Sequence, residues 1–312
     1  MHKFSLRTLL ILAALALAIS LSWRPLAMPD EGRYLSVAAA MWHSGDWVVP
    51  RLNGLPFFHK PPLFYWLAAL SYGLSGGTVW AGRLAPWLGA VIGMLALAWL
   101  MRAALPGRSA AQIEAQTRWG VLALVLQPLW FLGAQYANLD MLVAGLITAA
   151  ICALGRWALL PQERAPRWLA LLAISLGVLA KGLIGVVLPV AVLVLWLLWE
   201  RRWRLLLRIA FWPGWLLLPL LILPWFLLVE QRHAGFLHYF FIVQHFQRYV
   251  GKTFNNVMPF WFYPAVLLLL MLPWSPLLAL RARRRAEAAP AAAEPASPDP
   301  ERLAWVWLGL IT

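Results

Sequence analysis

Residues 9–34 read LLILAALALAISLSWRPLAMPDEGRY. An apolar run ends at Trp23, and two adjacent carboxylates, Asp30 and Glu31, follow within a few residues. Only 12 of the 312 residues are Asp or Glu, so an acidic pair this close to a hydrocarbon-compatible run stands out. Charge beside hydrocarbon is costly and is kept where it has a partner or a task. Arg33 follows, and His59-Lys60-Pro61-Pro62 lies further along the same segment. These residues point to a reaction site at a membrane surface.

Working outward, the composition is that of a polytopic membrane protein. The chain is 62% hydrophobic with a mean hydropathy of +0.72, above the roughly 45–50% of soluble domains. Its 21 tryptophans suit belts at membrane–water boundaries. One cysteine, Cys152, excludes an intrachain disulfide. The net charge of +14 comes from arginines in short stretches between apolar runs, which favours membrane lipids and phosphates over nucleic acid as partners. No glycine-rich phosphate loop is present, so no nucleotide cofactor is expected.

Apolar runs predict spans at 6–23, 83–101, 119–136, 140–157, 168–180, 183–199, 209–228 and 261–280, with another beginning at Leu303. Most lysines and arginines fall inside if the N-terminus is cytoplasmic, with 24–82 and 229–260 then outside. The first run reads as an uncleaved helix. Residues 31–43 and 62–74 read as short interfacial helices. The fold class is therefore all-α, a transmembrane helical bundle. Residues 1–280 form one module, 281–302 a cytoplasmic Ala/Pro/Arg-rich linker, and 303–312 the start of a further span that the native protein is expected to continue.

Each polar candidate has a plainer reading beside the chemical one. Asp30 is either a helix N-cap or a pre-positioned carboxylate, and Glu31 suits a first helical turn. Lys60, held rigid by Pro61-Pro62, is a phosphate contact or a lysine reaching the headgroups. Asp140 caps a helix or faces a substrate, and Lys181 anchors a turn or adds a second phosphate contact. His59 is a possible metal ligand if a partner is near. In 229–260, His245 and Arg248 sit among aromatics, which suits a lipid phosphate, a sugar ring or an amphipathic helix.

Asp30-Glu31-Gly32-Arg33-Tyr34, Gly45-Asp46-Trp47, Pro50-Arg51-Leu52-Asn53-Gly54 and Lys60-Pro61-Pro62-Leu63, in this order, resemble the first outer loop of bacterial lipid-A aminoarabinose transferases and their dolichyl-phosphate-mannose–protein mannosyltransferase-like relatives. Lys181-Gly182 and Gln244-His245-Phe246-Gln247-Arg248-Tyr249 look like later signatures of that group. The resemblance implies a GT-C glycosyltransferase of the bacterial inner membrane with a periplasmic site. Such enzymes move sugar from a polyprenyl-phosphate donor to a lipid or protein acceptor. It implies Asp30 as general base or acceptor-orienting carboxylate, with Lys60 and Arg248 holding the donor phosphate. From the residues themselves, Glu31 is expected as a second catalytic carboxylate, and Arg33, Asp140 and Lys181 as further substrate contacts. His59 stands where an acidic residue is usual, and with His245 it would hold a divalent ion, zinc or magnesium. A transporter or flippase of lipid-linked sugars is the rival; it predicts polar residues at mid-span and symmetric halves, and no internal repeat is visible.

Overall fold

The structure, a computed structural model, describes residues 5–19, 21–105, 107–247, 258–259, 261–272, 274–277, 280 and 298–311. Helices run alternately between two ends of a bundle. At one end, the site end, lie α2 (Asp30–Ser44), α3 (Leu63–Leu74) and a two-stranded hairpin, β1 (Arg51–Leu52) with β2 (Leu55–Pro56). The long helices of the bundle are α1 (Leu6–Leu17), α4 (Leu84–Met101), α5 (Ala110–Val125), α7 (Leu139–Leu159), α8 (Ala165–Lys181), α9 (Ile184–Trp199) and α11 (Leu217–Arg232). Two short helices, α6 (Pro128–Gly133) and α10 (Trp203–Ala210), lie between them, and Phe262–Leu270, within the expected span 261–280, is also helical. Among the described residues, Val79–Met101, Leu139–Leu159 and Trp203–Arg232 are long and apolar enough to cross a membrane by themselves.

The centre is α7, buried along nearly its whole length against α4 and α8. Small residues permit this closeness. A Cβ added to Gly145 of α7 would run into the Gly89 carbonyl of α4, so the two backbones touch there. Packing between apolar helices in lipid depends on such approach, because lipid tails compete with any larger apolar side chain.

Several boundaries differ from the sequence expectation, each for a local reason. The expected span 119–136 is two helices. Ser109 and Gln112 form a capping box that starts α5 at Ala110, ahead of the apolar run, and Pro128 at the first turn of α6 restarts the chain after Gln127. The expected span 209–228 breaks at a 3-10 turn over Pro213–Leu216, separating an amphipathic α10 from α11. Helix α1 ends at Leu17 rather than near Trp23. The final helix starts at Pro300, inside the expected linker, and seats Leu303 in the core while Arg302 pairs with Glu200 at 2.9 Å. The remainder of that linker, 281–297, lies outside the described residues.

The loop helices form as expected. Glu31, Leu35, Ala38 and Met41 make the buried stripe of α2, and Trp42 stays exposed. The turn at Lys181-Gly182 is also present. Gly182 has φ +89° and ψ −147°, a region essentially reserved for glycine, and it stops α8 with Lys181 at its end.

Candidate functional site

The site end gathers charges from three chain segments. Asp30 is the first residue of α2, whose N-cap is Pro29, and its side chain makes no capping bond. Its carboxylate pairs instead with Arg33, one turn along, and both side chains are partly exposed. The capping reading of Asp30 is thus replaced by an ion pair open to solvent. Asp140 is not a cap either. Asn138 caps α7 by accepting from the Asp140 N–H at 2.9 Å, and its Nδ2 donates to Asp140 Oδ2 at 3.1 Å. The other Asp140 oxygen takes Lys181 from the end of α8.

Tyr34 joins these two pairs. The Arg33 guanidinium lies over its ring at 5.2 Å, and Phe64 and Tyr65 of α3 back it at 5.9 and 6.3 Å. Burial pushes the Tyr34 hydroxyl pKa up. Arg33 opposes this, while the charges of Asp140 and Asp30 both push it further up. Both carboxylates therefore act on one hydroxyl, which stays protonated and able to donate. Beside them, a cavity of about 510 Å³ is lined by Arg24, Tyr136, Asn138 and Asp140 at its polar side and by Leu129, Leu132 and Met141. Such a mixture suits a ligand with a charged head and an apolar tail.

Glu31 is placed differently from Asp30. It is fully buried. Arg83 reaches both its oxygens at 3.0 and 3.1 Å, Arg24 does so at 2.7 and 2.9 Å, and the N–H groups of Ala137 and Ala27 donate at 2.8 Å each. Burial alone would raise its pKa, but these donors, Arg83 and Arg24 first, lower it to about 2. The carboxylate has no surface left for a substrate. It ties the start of α2 to the turn before α7, so the neighbours of Asp30 and of Asp140 are held by one anion.

The first loop is also tied to the segment after α11. Asp46 accepts from the N–H groups of Val48 and Val49 at 3.1 Å each and from Arg232 at 3.0 Å. Trp225 donates to the Val48 carbonyl at 2.9 Å. Phe58 meets His233 and Phe236, each at 5.1 Å between ring centres. The segment His238–Gln247, wound as a π-helix, thus starts against the loop that carries Lys60. Lys60 is half-buried at the entry to α3. His59 lies 4.6 Å from the Phe57 ring and 6.4 Å from that of Tyr239. The side chain of His245, and Arg248 entirely, lie outside the described residues. Among the described residues no three His, Cys, Asp or Glu side chains converge, so these residues do not supply a metal donor set around His59.

Arg24 and Arg83 were not among the residues picked out from sequence, and Tyr34 was quoted there without a role. Arg83 had a signal: an arginine at the head of an apolar span needs a partner. Nothing in the sequence named Glu31 as that partner.

Residues 5–240 match the family model for dolichyl-phosphate-mannose-protein mannosyltransferase. The chain belongs to this family. It is 35% identical over 275 residues to an undecaprenyl phosphate-alpha-4-amino-4-deoxy-L-arabinose arabinosyl transferase of Edwardsiella ictaluri, covering 87% of this chain and 48% of that protein. The like-named protein of Pseudomonas aeruginosa strain UCBPP-PA14 is 35% identical over 278 residues, covering 86% of this chain and 48% of the relative. The crystal structure of ArnT from Cupriavidus metallidurans bound to undecaprenyl phosphate superposes with a TM-score of 0.83 at 29% identity, covering 97% of this chain and 54% of that one. The chain spans about half the length of these family members. The family's polytopic GT-C architecture is the one described above, and these relatives, named as transferases, do not favour the transporter alternative.

Proposed function

We propose that the full-length protein is a membrane glycosyltransferase moving an aminopentose from a polyprenyl phosphate to a lipid acceptor. The observation that carries this is the superposition on an undecaprenyl-phosphate-bound transferase over 97% of the chain. In the proposed reaction an acceptor oxygen attacks the anomeric carbon of the donor sugar. The bond from that carbon to the phosphate oxygen breaks, and polyprenyl phosphate leaves with the electron pair. Asp30 orients the acceptor and takes its proton. Lys60 and Arg248 hold the donor phosphate as ground-state contacts. Arg33 and Lys181 hold Asp30 and Asp140 in position, and Tyr34 offers its proton to a sugar or acceptor oxygen. Glu31, which sequence alone grouped with the catalytic carboxylates, is assigned to positioning. A protein acceptor is suggested by the family's description alone, and the arabinosyl-transferase relatives favour a lipid one.

Lys60 and Arg248 give the test of donor binding. A phosphate contact made already in the ground state lowers KM more than it raises turnover. Lys60→Ala and Arg248→Ala in the full-length protein should each raise KM for the polyprenyl-phosphate sugar with turnover changed less. Loss of turnover at unchanged KM would remove the phosphate assignment.

The proposed setting is a bacterial inner membrane with the site end periplasmic and the N-terminus cytoplasmic. Single cysteines placed in 24–82, with Cys152 replaced, should react with an impermeant thiol reagent in intact cells. Labelling only after permeabilisation would reverse the orientation. A divalent ion held by His59 and His245 is tested by metal analysis of purified full-length protein. Metal that is bound in the wild type and lost in His245→Ala supports the site; equal, negligible contents in both remove it.

A further inference from the structure

Tyr65, in the first turn of α3, is fully buried, yet among the described residues its hydroxyl has no hydrogen-bond partner. Buried tyrosine hydroxyls usually find one, and an orphan costs the free energy of its lost hydration. Its neighbour Trp66 follows the rule, donating to the Trp47 carbonyl at 2.7 Å. The fold therefore tolerates one unmade bond directly behind Tyr34. Phenylalanine would fill the same space without that cost.

The surroundings of that hydroxyl narrow its use. The Tyr34 ring stands 6.3 Å from the Tyr65 ring, centre to centre, inclined at 39°. Phe64 packs edge-on against both rings at 5.9 Å each, and the Arg33 guanidinium covers the Tyr34 ring at 5.2 Å. Burial pushes the Tyr65 hydroxyl pKa well up; Tyr34 adds to this and Arg33 opposes it. The group is therefore a donor, and the ionisable groups that act on it are these two. Tyr34 is half-buried where Tyr65 is enclosed, so a substrate meets Tyr34 first.

We infer that Tyr65 is a positioning residue for Tyr34: with substrate bound, the Tyr65 hydroxyl donates to the Tyr34 hydroxyl oxygen while Tyr34 donates to a substrate oxygen. This rests on the proposed role of Tyr34 as the group that offers a proton to the sugar or acceptor. A tyrosine hydroxyl carries one proton and also accepts, so Tyr34 can take a bond from behind and give one outward at once. A hydroxyl that accepts a hydrogen bond becomes a better donor to the next group. The bond left unmade in the resting protein is made only when substrate is present. Its free energy then serves binding or the transition state instead of folding.

The test uses full-length protein transferring an aminopentose from undecaprenyl phosphate to lipid A, with Tyr34→Phe, Tyr65→Phe and the double variant, each beside a thermal melt. Tyr65→Phe should melt at or above the wild type, because the hydroxyl it removes has no partner in the resting fold. Its turnover should nonetheless fall about fivefold, the scale of one hydrogen bond. Tyr34→Phe should fall further, and the double variant should match Tyr34→Phe, because Tyr65 then has nothing to act through. A residue that only packs would leave turnover unchanged. Wild-type turnover in Tyr65→Phe, a melt well below the wild type, or a double variant slower than Tyr34→Phe by the full Tyr65 factor would overturn the inference alone. Wild-type turnover in Tyr34→Phe, or no transfer by the wild-type protein, would remove the reading beneath it and the inference with it.

Discussion

Full-length protein carrying Asp30→Asn should insert, purify and melt like the wild type, yet lose about a hundredfold or more of its sugar-transfer turnover. The two halves of this expectation rest on different observations. Stability is preserved because Asp30 caps nothing and, among the described residues, its ion pair is with Arg33 and is partly exposed. Such pairs contribute about 0–1 kcal/mol. Turnover falls because asparagine keeps the shape but cannot accept the acceptor's proton. Steady-state transfer from a polyprenyl-phosphate sugar, beside a thermal melt, separates the two. An Asp30→Asn enzyme with wild-type turnover would remove Asp30 from the chemistry.

The second large effect is structural and centres on Arg83. This side chain is 1% exposed and donates to Glu31 and to the carbonyls of Leu21, Arg24 and Pro25. Arg83→Met should destabilise the site end by about 3–5 kcal/mol, because it leaves Glu31 buried with only part of its compensation. The double change Glu31→Met with Arg83→Met should cost less than the two single changes summed, since neither lone charge remains. Thermal melts of the three variants measure this. The same network sets a pH dependence. The folded pKa of Glu31, about 2, lies below its ordinary value of 4.5. Its stabilisation is therefore complete above about pH 4.5 and is lost as pH falls toward 2. Glu31→Gln should lack that acid-side step.

Much of the bundle was legible from apolar run length, because a bilayer imposes it: α4, α7, α8 and α9 fall close to the expected bounds. The misses occur where a polar signal outranks the apolar one. The Ser109–Gln112 capping box extends α5 beyond its hydrophobic run, and Pro213 divides a run that hydropathy alone reads as continuous. In the site, the residue types were legible and their pairings were not. Asp30 and Glu31 are neighbours in sequence, but helical geometry turns one toward solvent and the other into the core. Only the fold shows that Arg83, 52 residues away, meets the second of them. Asp140 and Lys181, 41 residues apart, came together because the ends of α7 and α8 meet, which the turn at Gly182 hinted at without naming the partner.

The proposed function has the full-length protein pass a sugar from a lipid phosphate to a lipid acceptor. The most direct measurement is mass spectrometry of the acceptor after incubating the full-length protein, in liposomes, with lipid A and an undecaprenyl-phosphate-linked aminopentose. The account predicts that the acceptor gains the mass of one aminopentose residue while undecaprenyl phosphate is released in equal amount. An acceptor unchanged in mass with this donor, yet modified when a nucleotide sugar is supplied instead, would contradict it.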